Sequence, residues 1–304
     1  MRSFRVFQVD AFTDQPLSGN PAGVVLDADA MSDAEMQAVA RELNNSETAF
    51  VLSPDARDHD VRVRFFTPTT EVPSCGHATI AAHFARAREL GIIRGRVLQK
   101  IGIGILPVDI ATTPQGLEVT MTQGAPEIGP DIGLDRGPDV EARFLAALGA
   151  SMSDRDPSLP LRIASTGHSK VMVGFRHEAT IHALAPDMAA LKRLSSEIGC
   201  NGFYAFTFDP GATGIAVHGR MFAPAIGIDE DPVTGNANGP LGAYLVDLGL
   251  GPGKGEFRFR ARQGEAMGRP GEIEVRVDVE NAKPVRVRVS GRAVTVFEAE
   301  LTLP

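Results

Sequence analysis

The 304-residue chain lacks several features that would assign it to a class of protein at once. It has only two cysteines, Cys75 and Cys200, which excludes a disulfide framework and a zinc site with four cysteine ligands. No apolar run approaches the roughly 20 residues that cross a bilayer. The N-terminal residues enter a strand pattern directly and do not resemble a signal peptide. We therefore expect a cytoplasmic protein with reduced thiols and no membrane partner.

The chain also lacks the signatures of nucleic-acid and nucleotide binding. Its net charge is −8 with no compensating basic cluster, and arginines such as Arg258 and Arg260 alternate with apolar residues as on an exposed sheet face. The segment Gly102-Ile103-Gly104 lacks the third glycine of a dinucleotide site, and no Gly-Lys-Ser or Gly-Lys-Thr run is present. We expect no nucleic-acid partner and no nucleotide cofactor.

What the sequence does contain is a short glycine segment that occurs twice, at residues 75–79 and 234–238. Each copy follows a similar approach, residues 64–68 and 220–224, with an acidic loop between. A glycine at a helix start lets a ligand reach backbone N–H groups, whose partial positive charge favours an anion. The two half-chains therefore look like copies of one unit, and two such helix starts facing each other would clamp a small carboxylate.

Each half is predicted to run in the order helix, strand, strand, glycine segment, helix. The first half has a helix from Ser32 to about Leu43, capped by Ser32 and Glu35, and the second has a helix capped by Asp187. The helices after the glycine segments are apolar or small on nearly every side, which indicates burial all round, with Pro240 expected in the first turn of the second. The predicted strands are residues 5–10, 22–26, 48–52, 61–66, 203–208, 215–222 and 293–301.

These patterns predict an α/β (α+β) fold of two lobes, each a sheet curled around a central helix. Residues 1–118 form the first predicted lobe, to which a C-terminal strand at about 290–304 returns. Residues 119–289 form the second. A chain of this length is longer than a single hydrophobic core usually supports, which agrees with two lobes.

The candidate general acid/base is Glu47, where the helix that begins at Ser32 has ended and an apolar strand begins. Burial disfavours the charged form of a carboxylate, which suits such a group to take and return a proton near neutral pH. The alternative is that Glu47 only caps or pairs at a helix end. Aligning Leu43 with Ile198 places Gly202 opposite Glu47, so the second half lacks the carboxylate and the site has one dominant base.

Three further residues occupy matched places in the repeat. His77 lies on the first glycine segment and Asp231 just before the second, although a histidine at a helix start can simply satisfy backbone groups and an aspartate there can simply build a turn. Cys75 could act as a thiolate at a helix N-terminus, but its counterpart is Thr234, which argues against a two-thiol mechanism and for a small buried residue.

A metal site is not expected. His77 and His83 could be imagined as ligands together with Glu71, yet His83 lies on a buried helix and no compact ligand set surrounds the three residues in the sequence pattern.

The chain resembles the phenazine-biosynthesis isomerase family (PhzF-like), and within it the branch of YddE-type uncharacterised isomerases. The resemblance runs nearly end to end. It is carried by residues 10–12, 19–23, 45–50, 66–68, 71–79, 167–172 and 230–237. It implies a diaminopimelate-epimerase-like fold with the active site in the cleft between two pseudo-symmetric lobes, and a homodimer.

The resemblance further implies cofactor-free isomerisation, in which Glu47 removes a C–H proton and delivers it elsewhere on the same face of the substrate. His77 and Asp231 would hold or polarise the substrate, and Asn20 and Cys75 would lie among its ligands. One departure is Asn236, where the phenazine enzyme has serine, so the donors of the pocket differ.

The sequence therefore predicts a metal-free isomerase that acts on a small carboxylic acid, one that is cyclic and carries an amino or hydroxyl group. The N–H groups of Gly76 and Gly235, with Asn236, would clamp the carboxylate. Two other hypotheses stay open: an amino-acid epimerase that uses Glu47 on one face and Cys75 or His77 on the other, and a carboxylate-binding protein without catalysis.

Overall fold

The computed structural model describes residues 1–209, 211 and 216–304. The chain divides into two compact units, residues 1–122 with 290–304, and residues 123–289. The elements of the first unit are β1 (Arg2–Ala11), β2 (Asn20–Val25), α1 (Asp33–Leu43), β3 (Thr48–Leu52), β4 (Val61–Phe66), β5 (Glu71–Val72), α2 (Gly76–Leu90), β6 (Arg94–Ile101), β7 (Gly104–Thr113) and β8 (Gly116–Thr122).

The second unit has the larger number of helices. Its elements are β9 (Glu127–Asp131), α3 (Ile132–Arg136), α4 (Pro138–Ala147), β10 (Arg162–Ser165), β11 (Lys170–Gly174), α5 (Glu178–Ala183), α6 (Met188–Ile198), β12 (Phe203–Phe208), β13 (Ala216–Ala223), β14 (Ile228–Asp231), α7 (Gly235–Asp247), β15 (Gly255–Gln263) and β16 (Gly271–Glu280). The last strand, β17 (Lys283–Leu303), starts in the second unit and ends in the first.

In the first unit a mixed sheet surrounds α2. β1 pairs antiparallel with β2 and with residues 293–303 of β17, β2 runs parallel to β3, β3 antiparallel to β4, and β4 parallel to β6. The helix packs against β1, β2, β3, β7 and β8. Its first ten residues are all buried, because small side chains such as Ala78 and Ala81 let the sheet approach from every side. The predicted central helix is confirmed.

The second unit repeats the same pairing. β10 is antiparallel to β11, β11 parallel to β12, β12 antiparallel to β13, and β13 parallel to β15. α7 packs against β9, β10, β11, β15 and β16, and a Cβ atom at Gly242 would lie 2.8 Å from Val275 and Val277. The internal repeat read from the sequence is therefore confirmed, together with the α+β fold class of two similar lobes, each a curled sheet around a central helix.

The local signals at the helix ends are largely confirmed. Ser32 accepts a hydrogen bond from the backbone of Glu35, whose carboxylate accepts one from the backbone of Ser32, as a capping box requires. Asp187 caps α6 through the backbone N–H of Ala190 at 2.9 Å. The position expected for Pro240 was wrong: α7 starts at Gly235, so this proline lies inside the helix.

The consequence of Pro240 is local. Its ring carries no N–H, so the hydrogen bond that a helix would make to the carbonyl of Asn236 is missing.

For the second strand of this half, β13 begins at Ala216, and the predicted first residue Ile215 lies outside the described residues. Within the described part of the chain, no helix has the length and hydropathy to cross a membrane.

Candidate active site

Glu47 lies immediately before β3 with its side chain 13% exposed, and its carboxylate faces α2. Glu47 Oε2 is 3.4 Å from His77 Nε2. The C-cap of α1 is Asn44, whose backbone N–H bonds to Ala40, so Glu47 does not cap that helix. The carboxylate pairs with a histidine from a different element, and this places a proton acceptor beside an imidazole in a nearly enclosed position.

Side chains from two segments of the chain contact the imidazole of His77. Its Nε2 lies 3.3 Å from the hydroxyl of Ser46, and its Nδ1 lies 3.5 Å from Cys75 Sγ. The imidazole thus contacts Ser46, Glu47 and Cys75 from a ring that is 7% exposed. The structure brings three of the residues predicted from the sequence into one cluster.

The start of α2 has the form expected of an anion site. Cys75 occupies the N-cap position, and its side chain makes no capping hydrogen bond to the helix. In contrast, α1 and α6 are capped by Ser32 and Asp187. The N–H groups of the first turn, beginning with Gly76, therefore keep the partial positive charge that attracts a carboxylate.

The residues considered as metal ligands from the sequence, Glu71, His77 and His83, do not form one cluster. Glu71 binds Arg64 with two contacts of 2.8 Å, and His83 Nε2 lies 3.0 Å from Gln99 Oε1. Burial lowers the pKa of His83 to about 4, so this ring is neutral at physiological pH. A different set is compact: one ligand atom each of Glu47, Cys75 and His77 lie within 4.8 Å of one another.

The asymmetry between the halves has a steric cause. A Cβ atom at Gly202, the counterpart of Glu47, would lie 2.5 Å from the carbonyl oxygen of Phe222 and 2.9 Å from Ala223 Cβ. No side chain fits there without movement of the backbone. The second unit therefore cannot carry an equivalent carboxylate at this position.

In the second unit, Asp231 ends β14 and is 7% exposed. Its carboxylate accepts a hydrogen bond from the hydroxyl of Thr234, the N-cap residue of α7. Its carbonyl accepts one from Gln263 Nε2 at 2.7 Å, and Gln263 Oε1 accepts from the backbone N–H of Thr234 at 3.2 Å. Asp231 is thus fixed in position by a buried glutamine, and Thr234 is occupied by Asp231 instead of capping the helix.

The glycine segment of the second unit is supported by Gln123. Its Nε2 lies 2.9 Å from the carbonyl of Gly235 and 3.4 Å from Asn236 Oδ1, while Thr166 donates to its Oε1 at 2.9 Å. This network orients the first turn of α7. Asn20, the remaining predicted ligand, is buried at the start of β2 in the first unit, opposite Ala11 of β1.

Lys170 is a functional candidate that the sequence reasoning did not single out. It is 2% exposed on β11, and burial lowers the pKa of its ammonium group to about 8, against the opposing influence of Cys200 and Asp231. A buried amine whose pKa is perturbed by burial and by a buried carboxylate is a feature that functional sites often show. The only sequence signal was its place in the segment 167–172.

The pH dependence of stability tests this arrangement. An unfolded lysine binds its proton up to a pH of about 10.5. Between about pH 8 and 10.5 the unfolded chain therefore binds more protons than the folded chain, and this lysine makes the free energy of unfolding rise with pH. We expect wild type to gain on the order of 2–3 kcal/mol relative to Lys170→Met between about pH 7 and pH 10.

Urea titrations at several pH values measure this gain, with Lys192→Met, at an exposed position of α6, as the matched control. A stability difference between wild type and Lys170→Met that stays constant over this pH range would contradict the assignment.

A family described as phenazine biosynthesis-like protein matches residues 9–299. An uncharacterised isomerase of Clostridium acetobutylicum is 51% identical over 100% of this chain and 99% of its own, and the uncharacterised isomerase YddE of Escherichia coli K12 is 48% identical over 97% of both chains. The trans-2,3-dihydro-3-hydroxyanthranilate isomerase of Pseudomonas chlororaphis is 34% identical over 97% of this chain and 98% of its own.

Solved structures of other proteins have the same fold as this chain. A phenazine biosynthesis protein of the PhzF family from Bacillus anthracis superposes with a TM-score of 0.86 at 32% identity, over 100% of both chains. A hydroxyproline epimerase from Agrobacterium vitis superposes with a TM-score of 0.64 over 99% of this chain and 91% of its own. At 13% identity, the second likeness supports the fold alone.

Proposed function

Because the chain belongs to the phenazine biosynthesis-like (PhzF) family of isomerases, we propose that Glu47 moves a proton on a small carboxylic acid without a cofactor. The observation that carries the proposal is the nearly enclosed carboxylate of Glu47, 3.4 Å from His77 and beside the uncapped start of α2. We propose a cyclic acid with an amino or hydroxyl group as the substrate class. A homodimer in the cytoplasm that needs no metal for catalysis is part of the same proposal.

The chemistry requires one base and an environment that accepts negative charge. Glu47 takes a proton from a C–H bond next to a double bond, and the electron pair of that bond shifts into the conjugated system. The protonated Glu47 then returns the proton to another carbon on the same face, so no atom is gained or lost. Backbone N–H groups at a helix start stabilise the developing charge, and His77 orients the carboxylate through its 3.4 Å contact.

We assign Asp231, Gly235 and Asn236 to substrate binding, together with Gly76 and Asn20. The buried bonds from Gln263 to Asp231 and from Gln123 to Gly235 support this assignment, since such bonds hold polar groups in one orientation. Because Asn236 replaces the serine expected from the family, we propose that the substrate differs from the phenazine intermediate in the groups near its carboxylate.

Epimerisation is the second candidate, and the 3.5 Å contact of Cys75 with His77 favours it. An epimerase needs a second base, and Cys75 would be that base. Under our proposal Cys75→Ala keeps turnover within about threefold, whereas removal of an essential base costs about 10²–10⁴-fold. Steady-state turnover together with chiral chromatography of the products distinguishes the two reactions. Interconversion of enantiomers that is lost in Cys75→Ala would establish the epimerase.

The substrate class is tested by incubating the protein in deuterated water with small cyclic and amino carboxylic acids, including trans-2,3-dihydro-3-hydroxyanthranilate. Proton NMR reports both binding, through line broadening, and exchange, through loss of a C–H signal. We expect exchange at one carbon of at least one acid that binds. Binding across the panel without exchange in any compound would favour a carboxylate-binding protein.

A further inference from the structure

We infer that Glu47, Cys75 and His77 form a binding site for Zn²⁺, and that a bound zinc ion blocks catalysis. Together they offer a carboxylate oxygen, a thiol sulfur and an imidazole nitrogen, the ligand types that zinc uses in proteins. The residues come from two separate places in the first unit, the residue before β3 and the start of α2.

The spacing of the ligand atoms is close to what a tetrahedral ion needs. Zinc bonds are about 2.0–2.3 Å long, so neighbouring ligand atoms in a tetrahedron lie roughly 3.3–3.8 Å apart. Here His77 Nε2 is 3.4 Å from Glu47 Oε2 and 4.0 Å from Cys75 Sγ. The oxygen–nitrogen edge already fits, the nitrogen–sulfur edge is a few tenths of an ångström too long, and the sulfur–oxygen edge is at most 4.8 Å. The cysteine sulfur therefore has to move toward the other two ligand atoms when the ion binds.

The charges of the ligands also favour Zn²⁺. A thiolate at the N-terminus of a helix is stabilised by the helix dipole, and the thiolate is the form of cysteine that binds metals. Cys75 as thiolate and Glu47 as carboxylate neutralise the two charges of Zn²⁺, and the thiol proton is released to solvent. Three protein ligands leave a fourth position for water or for the carboxylate of a ligand.

The inhibitory half of the inference rests on the proposed function. A carboxylate bound to zinc cannot accept a proton from carbon, so the metal removes the proposed base. Metal binding itself needs only the three side chains and holds whether or not the protein is an isomerase.

Binding is tested with the purified, metal-free full chain. Cd²⁺ is added first, because a thiolate bound to cadmium gives an ultraviolet charge-transfer band, and Zn²⁺ affinity is then measured by calorimetry. We expect one ion per chain, with the band absent in Cys75→Ser and zinc affinity at least about tenfold lower in Cys75→Ser and Glu47→Gln. Cys200→Ser, at the other buried thiol, is the matched control and keeps both signals.

Two results would overturn the site. An unchanged cadmium band in Cys75→Ser would show that the ion binds elsewhere. The absence of a band in wild type would show that the protein has no such site. Thermal unfolding of Cys75→Ser without metal checks that the variant is folded. If zinc binds as expected but proton exchange by wild type continues at saturating zinc, the metal site stands, and both the inhibition and the role of Glu47 as the base are wrong.

Discussion

Glu47→Gln is expected to lower the rate of proton exchange by about 10²–10⁴-fold, the contribution typical of a positioned general acid/base. Glutamine has nearly the same shape and can still contact His77, but it cannot accept a proton from carbon. Ligand binding therefore changes little while turnover is lost. Initial rates measured by NMR, with ligand titrations of the same samples, separate these two effects.

Glu42→Gln is the matched control for this variant, because Glu42 is an exposed carboxylate on the last turn of α1, five residues away. We expect it to leave both exchange and binding unchanged. An equal loss of exchange in the two variants, or a loss in neither, would show that the carboxylate of Glu47 is not the base.

Arg220→Met is expected to have the largest effect on stability, a loss of about 3–5 kcal/mol in the free energy of unfolding. Arg220 is 9% exposed and binds Glu230 through two hydrogen bonds of 2.8 Å. It also donates to the carbonyls of Ile181 at 3.1 Å and Leu184 at 2.8 Å. Methionine leaves a carboxylate that is only 15% exposed without its cation, next to Asp231. Urea denaturation measures the loss.

The internal repeat supplies the control for this prediction. Arg64 binds Glu71 with the same two-bond geometry at 2.8 Å. Each guanidinium group also lies over the phenylalanine ring two residues further along, 5.1 Å from the ring centre of Phe66 for Arg64 and 5.0 Å from that of Phe222 for Arg220. The side chains of Arg64 and Glu71 are 26% and 44% exposed. We expect Arg64→Met to cost about 1 kcal/mol or less. Similar losses in both variants would mean that burial does not govern the strength of this pair.

The architecture could be predicted because its signals are local. The capping pair Ser32 and Glu35 and the all-round apolar helix after Gly76 need only neighbouring residues to be recognised, and the structure confirms both. The alternation around Arg258 also gives the orientation of β15, where the arginine is exposed and Phe257 and Phe259 are buried. The repeat then follows because two segments with the same local pattern form the same elements.

The polar contacts of the candidate site could not be predicted in the same way. Gln263 fixes Asp231 across 32 residues of sequence, and Gln123 reaches Gly235 across 112, so nothing near either glutamine in the chain indicates its partner. Burial is likewise decided by packing. Arg64 and Arg220 occupy matched positions, but only the second is enclosed.

The position and stereochemistry of deuterium in the product show whether one carboxylate moves the proton. Wild type and Glu47→Gln are incubated in deuterated water with the first acid that shows exchange, and the products are analysed by NMR and chiral chromatography. We predict that wild type places deuterium at a single carbon, on the face from which the proton left, without inverting any stereocentre, and that Glu47→Gln places none. Inversion of a stereocentre, or deuterium in the product of Glu47→Gln, would contradict the single-base account.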